Sequence, residues 1–208
     1  MHLLDFLAPR SCAFCGVFST GDERSLCVNC FNDLPWREPA ASPTPGIFEC
    51  SMAMMEYEFP VDVAIKALKF KRQLYYVPAL AEVLCAACRS LPADIDSILP
   101  VPLHWRRKTV RGFNQASELA APVAHSLGIE ILRGVQRCKA TPSQSGLGAI
   151  ARRKNLRRAF STRCRISSKH VLIIDDVVTT GATLTELGKL LLRNGAQKVS
   201  ALTVASAR

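Results

Sequence analysis

The feature that most constrains this chain is the stretch VLIIDDVVTTGATL, from Val171 to Leu184. It begins with four apolar residues, continues with two adjacent aspartates and ends in small residues and threonines. An uninterrupted apolar run of this length is typical of a strand that is buried on both faces of a parallel sheet. We therefore expect a central strand over His170–Ile174, with Asp175 and Asp176 at its carboxyl end, where open α/β sheets place their ligands.

The residues after the aspartates predict a seat for phosphate. Thr179–Thr183 would form the loop that leads into a helix, and the backbone N–H groups at a helix N-terminus attract a phosphate dianion. Carboxylates beside such a seat suit a ligand with hydroxyls next to its phosphate, and ribose 5-phosphate is such a ligand. The alternative is an ordinary strand-to-helix loop, capped by threonine, in which Asp175 and Asp176 lie in solvent.

The stretch resembles the phosphoribosyl pyrophosphate (PRPP) signature of type I phosphoribosyltransferases. Other motifs resemble one branch of that superfamily, the ComF family of competence proteins, also called ComFC or GntX-like. These motifs are the N-terminal cysteine cluster, Leu68–Phe70, Pro100–His104, Arg111–Gln115, Thr141–Leu147 and Ala151–Phe160. The resemblance extends over nearly all of the chain from residue 12 to residue 204.

The resemblance implies an α/β fold, a type I phosphoribosyltransferase-like Rossmannoid parallel sheet. It implies catalytic roles for Asp175 and Asp176, which would accept hydrogen bonds from the ribose hydroxyls. It also implies a Mg²⁺ ion that arrives with PRPP, held mostly by the oxygens of PRPP and water. The signature residues expected to bind this substrate are Val177, Val178, Thr179, Thr180, Gly181, Ala182 and Thr183.

A first basic segment is expected to contact pyrophosphate. In the family, a loop after an early core strand binds that group, and the equivalent segment here is Leu103–Arg111. It carries Arg106, Arg107 and Lys108 as candidate substrate-binding residues. Guanidinium groups suit pyrophosphate because they donate paired hydrogen bonds. The alternative is a run of solvated charges.

A second basic segment, residues 151–158, lies where the family's mobile catalytic loop is expected. Arg152 and Arg153 are its candidate catalytic residues, and loop closure would bring such cations onto the departing pyrophosphate. Two alternatives stay open. The segment can form a helix that faces nucleic acid, since its dense positive charge suits a phosphate backbone, or a helix that faces only solvent.

Four cysteines near the N-terminus have the spacing of a structural zinc site. Two CxxC pairs, Cys12 with Cys15 and Cys27 with Cys30, can together supply the four thiolates of a tetrahedral Zn²⁺ ion. An iron–sulfur cluster and a redox pair are the alternatives. A third pair, Cys85 and Cys88, lies in a helical Ala/Leu-rich stretch, and we interpret it as part of the core.

The pattern along the chain divides it into three parts. Residues 1–38 are expected to form the zinc-ribbon segment, residues 39–46 a proline-rich linker, and residues 47–208 the phosphoribosyltransferase-like domain. In the last part, apolar segments alternate between strand and helix periodicity. This alternation predicts a parallel sheet with helical crossovers.

The overall charge and the cysteine content favour a cytoplasmic protein with phosphate-rich ligands. The chain carries 27 Lys and Arg against 17 Asp and Glu, a formal net charge of +10. Nine cysteines, without a signal peptide or an apolar stretch that could span a bilayer, indicate a reducing compartment and no membrane insertion.

Two functions follow as hypotheses. The first is Mg²⁺-dependent transfer of phosphoribosyl from PRPP to an acceptor, within the DNA uptake that the ComF resemblance implies. The second is a non-catalytic module that senses PRPP or a nucleotide and binds DNA. Single-stranded DNA and proteins of the uptake machinery are the expected partners in either case.

Overall fold

A parallel sheet of five strands organises the protein. The computed structural model describes residues 11–18, 25–38, 46–139, 159–163 and 165–207. The strands follow the order β1-β7-β6-β2-β3, and every neighbouring pair is parallel. A separate antiparallel pair joins β4 to β5. The predicted parallel α/β sheet is thus confirmed.

The strands of the structure are β1 (Ser51–Glu56), β2 (Ser97–Pro100), β3 (Glu130–Ile131), β4 (Val135–Arg137), β5 (Phe160–Thr162), β6 (His170–Val178) and β7 (Lys198–Ser206). The helices are α1 (Val28–Asn32), α2 (Val61–Lys71), α3 (Tyr76–Ala86), α4 (Trp105–Arg111), α5 (Gln115–Leu127) and α6 (Ala182–Arg193), with a 3₁₀ turn at Cys88–Ser90.

The central strand β6 is apolar on both sides because helices cover both faces of the sheet. Leu172 and Ile174 pack in one core, together with buried residues of α2, α3 and α5. Val171 and Ile173 pack in the other core, with buried residues of α6. Successive side chains of a strand point to opposite faces, so a strand covered on both faces needs a continuous apolar run.

The end of this strand differs from the prediction. We expected the strand to stop at Ile174, but β6 continues through both aspartates to Val178. On one side β7 accompanies it along its whole length, whereas β2 ends opposite Ile174, at Pro100. The aspartates are therefore held in regular strand geometry, with one edge of their strand open.

Two further elements differ from the sequence prediction. The segment predicted as a pyrophosphate loop contains a helix, α4, over its last seven residues. The β4–β5 pair was not predicted, because each strand has only three residues and gives too short a pattern. The second basic segment, residues 151–158, lies outside the described residues.

The N-terminal segment packs against the main sheet. Leu26 and Leu34 are almost fully buried in the same core as the helices α2, α3 and α5. Trp36 forms a β-bridge with Met55, and the N–H of Ser25 donates to Glu82 over 3.1 Å. The boundary predicted at residues 39–46 stays a prediction, since residues 39–45 lie outside the described residues.

Helix length and composition also bear on the membrane prediction. In the described parts of the chain, no helix combines the length and the apolar content that crossing a bilayer requires.

Candidate functional site

An open cleft of about 870 Å³ lies where β2 ends beside β6. Its walls come from the ends of β6 and β2, from α2, from α4 and from the loop before α6. The residues of interest that line it are Tyr57, Lys69, Phe70, Arg72, Arg106, Arg107, Arg111, Gln115, Arg137, Asp175, Asp176 and the segment Val177–Thr183. The predicted acidic, threonine-rich and basic segments therefore meet in one place.

Asp176 is already paired in the free protein. Its Oδ1 lies 2.7 Å from the Nζ of Lys69 in α2, and its side chain is only 4% exposed. Its other oxygen, Oδ2, is buried and has no hydrogen-bond partner. A buried carboxylate oxygen without a donor is costly, and here it lies in the wall of a cleft.

Asp175 is half-buried and lies in the same wall. Its Oδ1 accepts a hydrogen bond of 2.9 Å from the backbone N–H of Asp176. Burial and the neighbouring Asp176 charge raise the pKa of Asp175 from its ordinary value of 3.8 to about 7, while Lys69 and Arg137 act in the opposite direction. The two adjacent carboxylates therefore have different surroundings: Asp176 is paired with Lys69, whereas Asp175 is not.

The raised pKa of Asp175 predicts a pH-dependent stability. Because the folded state holds a proton that the unfolded chain releases, the free energy of unfolding falls as pH rises from about 4 to about 7. Asp175→Asn removes this loss, so its melting temperature should exceed that of the wild type by more at pH 8 than at pH 5. Calorimetric melting at both pH values checks the difference, and an equal gain at the two values would contradict it.

The loop before α6 has the form expected of a phosphate seat. Gly181 adopts a left-handed conformation, with φ of 70°, at the position that caps the helix, which favours glycine there. The Oγ1 of Thr180 accepts a hydrogen bond from the N–H of Ala182 over 3.4 Å. Thr179, Thr180 and Thr183 all line the cleft. The N-terminus of the twelve-residue helix thus opens toward the aspartates.

The helix α4 contributes guanidinium groups to the lining of the cleft. Arg106, Arg107 and Arg111 line it, and Arg111 donates a hydrogen bond to Gln115. Burial lowers the pKa of Arg111, although the charge of Asp176 partly counteracts this. Lys108 belongs to the same helix, but its side chain lies outside the described part of the structure. Arg152 and Arg153 lie outside it as well.

Sequence reasoning missed three cations of the cleft, Lys69, Arg72 and Arg137. Lys69 was noticed only as part of the Leu68–Phe70 motif, and a lysine among apolar helix residues was the one signal that could have pointed to it. Arg137 lies on β4, which was not predicted. By contrast, His104 is buried and accepts a hydrogen bond from the N–H of Arg106, which is a structural role.

The four N-terminal cysteines form one cluster. Their sulfur atoms all lie within 4.8 Å of one another, and the sulfurs of Cys15 and Cys27 are 3.7 Å apart. A tetrahedral zinc ion with sulfur ligands at about 2.3 Å places those sulfurs about 3.8 Å apart. The cluster therefore has the number and type of ligands, and close to the spacing, that a zinc ion requires.

The backbone around the cluster supports thiolate ligands. Gly16 turns the first pair with φ of 73°, and the N–H of Cys30 points to the sulfur of Cys27 at 3.4 Å. Burial alone would raise the pKa of Cys12, but N–H donors of Cys27, Cys15 and Phe14 lower it to about 6. Cys85 and Cys88 instead pack against the core of the sheet, and burial raises the pKa of both.

Comparison with known proteins identifies the family of this chain. Residues 109–208 match the family described as the phosphoribosyl transferase domain. The chain is 37% identical over 186 residues to the DNA utilization protein YhgH of Salmonella typhimurium, covering 84% of this chain and 81% of that protein. It is 36% identical over 163 residues to Competence protein F of Haemophilus influenzae, covering 73% and 70% of the two chains.

Among solved structures, purine phosphoribosyltransferase from Pyrococcus horikoshii Ot3 shares 20% identity with this chain. The match covers 64% of this chain and 74% of that protein, with a TM-score of 0.40. The fold assignment depends on the sheet topology and on the matched family. Relatives above 30% identity that align over most of both chains decide the family: this chain belongs to the ComF family of phosphoribosyltransferase-domain proteins.

Proposed function

We propose that the cleft binds PRPP. The observation that carries the proposal is the placement of two adjacent carboxylates, one with a buried oxygen that lacks a donor, directly before a helix N-terminus. The 5-phosphate would lie on the loop Thr179–Thr183. The 2- and 3-hydroxyls of the ribose would donate to Asp175 and to Oδ2 of Asp176, which satisfies that oxygen.

The remaining cations suit the pyrophosphate of PRPP. Arg106, Arg107 and Arg111 line the same cleft as the aspartates, and the pyrophosphate would extend toward them. We include Lys108, Arg152 and Arg153 in this proposal on the ground of the family resemblance. Mg²⁺ would arrive with PRPP as part of the substrate complex and would supply positive charge at the leaving group.

The reaction that such a site supports is phosphoribosyl transfer. A nucleophile on the acceptor forms a bond to C1 of the ribose, the bond from C1 to the pyrophosphate oxygen breaks, and pyrophosphate leaves with the bonding electrons. Positive charge develops on the sugar ring, and the carboxylates below it would stabilise that charge. The arginines of α4 would stabilise the departing anion.

The names of the relatives, DNA utilization protein and Competence protein F, support a role of this chain in the uptake of DNA. We place that role on the cytoplasmic side, and the phosphoribosyltransferase-like part in residues 47–208. The decisive experiment incubates the purified chain with PRPP and Mg²⁺, with and without single-stranded DNA, and measures released pyrophosphate. Release above a no-protein blank supports the enzyme, and absence of release under both conditions rejects it.

A specific surface favours a second candidate function, a non-catalytic module that binds DNA. We define the cleft rim as Phe70, Trp105, Arg106, Val110 and Arg111. Phe70, Trp105 and Val110 are 76%, 63% and 78% exposed. The guanidinium of Arg111 lies 5.9 Å from the ring of Phe70, and that of Arg106 lies 5.3 Å from Trp105. Exposed rings beside cations suit single-stranded DNA, whose bases stack and whose phosphates are negative.

Salt dependence and side-chain truncation distinguish base stacking on the aromatic residues of the rim from phosphate contacts of Arg106 and its neighbour Arg107. Phe70→Ala with Trp105→Ala should weaken binding of single-stranded DNA by roughly tenfold or more without changing its salt dependence, since each base stack contributes about 1–3 kcal/mol. Arg106→Gln with Arg107→Gln should reduce the slope of log affinity against log salt by about 1.4, because each phosphate contact contributes about 0.7.

The same titrations with Arg152→Gln and Arg153→Gln test the second basic segment. Phe59→Ala is the matched control for the aromatic variants, because Phe59 is 79% exposed and is not a cleft residue. Equal losses in Phe59→Ala and in the rim variant would reject the rim as the DNA surface. Unchanged slopes in both arginine variants would reject phosphate contacts from these segments.

A further inference from the structure

We propose that Lys69 is a positioning residue of the PRPP site, which holds one oxygen of Asp176 and directs the other oxygen to the ribose. The inference depends on the proposed function of the cleft. Lys69 would act through Asp176 rather than by contacting the reacting atoms.

The geometry singles out this ion pair. Lys69 lies in α2 between Leu68, which is fully buried, and Phe70, which is exposed. Its side chain is 20% exposed and reaches inward to Asp176 at 2.7 Å. In five other ion pairs, each between two described residues, at least one side chain is 36% exposed or more. Lys69 and Asp176 thus form the most buried pair among them.

A buried pair of this kind is a poor device for stability alone, because removing two charges from water costs about as much as their attraction returns. It also leaves Oδ2 of Asp176 without a donor. A purely structural pair would be expected to satisfy both oxygens. Asp176 is instead a residue of the cleft wall, where a rotation of its carboxylate would bring Oδ2 to a ligand hydroxyl that supplies the missing hydrogen bond.

The charged groups around the pair explain why Lys69 matters. Asp175 is adjacent and repels Asp176, Arg111 approaches from α4 and Arg137 from β4, and Tyr57 lies near Lys69. Burial lowers the pKa of Lys69, but the charge of Asp176, the hydrogen bond to Asp176 and the charge of Asp175 together outweigh it, and the net shift of the pKa is upward. Lys69 therefore remains a cation at neutral pH. Without it, the carboxylate pair would retain a proton to higher pH.

The test measures binding of PRPP with Mg²⁺ by titration calorimetry between pH 6 and pH 9. Lys69→Met should weaken binding about tenfold or more at pH 7 and should move the midpoint of the pH profile upward. Lys69→Arg keeps the charge, so it should bind more weakly than the wild type but with an unchanged midpoint. Lys66→Met is the matched control, because Lys66 is on the same helix, pairs with Asp62 and is not a cleft residue.

A double-mutant cycle with Asp176→Asn separates positioning from direct contact. If Lys69 acts through Asp176, the loss in the double variant should equal that of Asp176→Asn alone. Additive losses, wild-type binding by Lys69→Met, or a shifted midpoint in Lys69→Arg would each overturn the proposal for Lys69. If the wild type does not bind PRPP at all, the proposed function fails first. If Lys69→Met does not fold, the pH profile of PRPP binding by Lys69→Arg, compared with that of the Lys66→Met control, still tests the proposed role of Lys69.

Discussion

Replacing Asp175 and Asp176 together by asparagine is expected to weaken the binding of PRPP by about two orders of magnitude or more. Each substitution keeps size and shape but removes a charge-assisted hydrogen bond to a ribose hydroxyl, of about 1.5–3 kcal/mol. Since about 1.4 kcal/mol corresponds to a factor of ten, two such losses give at least this effect. Titration calorimetry of PRPP with Mg²⁺ against both proteins measures it.

A matched control removes two carboxylates elsewhere. Glu58→Gln with Glu130→Gln changes the net charge equally, at exposed positions that are not cleft residues. Equal affinity of wild type and the Asp175/Asp176 variant would show that these carboxylates do not hold the ribose. A loss of the same size in the control would assign the effect to overall charge.

The structure also changes what the single variants should do to stability. From the sequence alone, Asp175 and Asp176 are two adjacent charges of the same sign. Removing both would then increase the stability of the fold or leave it unchanged. Lys69 makes the surroundings of the two aspartates unequal, because it pairs with Asp176. Asp175→Asn relieves repulsion, whereas Asp176→Asn leaves a buried lysine without its partner and is expected to destabilise the free protein.

Removal of the metal from the N-terminal cluster is the second large expected effect. The protein purified without added metal should contain one zinc per chain, and Cys12→Ser with Cys15→Ser should abolish it. The segment holds few buried apolar residues of its own, and structural zinc sites contribute about 10–16 kcal/mol to folding in small peptides. Its packing on the main sheet should therefore be lost with the metal.

Trp36 reports this loss. Its Nε1 donates to the carbonyl of Phe31 over 2.8 Å, and the two rings are 4.8 Å apart. In a Trp105→Phe background, where Trp36 is the sole tryptophan, a chelator should shift its emission to longer wavelength. Cys85→Ala with Cys88→Ala is the control and should keep the zinc. A well-folded wild-type chain without zinc, or an unchanged emission after chelation, would contradict the assignment.

Local patterns predicted much of the fold and part of the site. The apolar run Val171–Ile174, the aspartates and the threonine-rich loop depend on residues that are adjacent in sequence, and so do the two CxxC pairs. Each of these features can be predicted from a short stretch of sequence, because strand periodicity, helix capping and metal-ligand spacing act over a few residues. The prediction failed where an element was short, as at β4, or where a helix replaced a loop, as at α4.

The sequence by itself determined the parallel sheet, the acidic edge of its central strand, the cysteine cluster and the family. Only the tertiary structure decided which charges meet at that edge. Lys69 is more than a hundred residues from Asp176 in the chain, and Arg137 approaches from an antiparallel pair that no local pattern predicted. Their burial and mutual distances make one aspartate a paired anion and raise the pKa of the other. Such differences arise from desolvation and proximity, which depend on how distant segments pack.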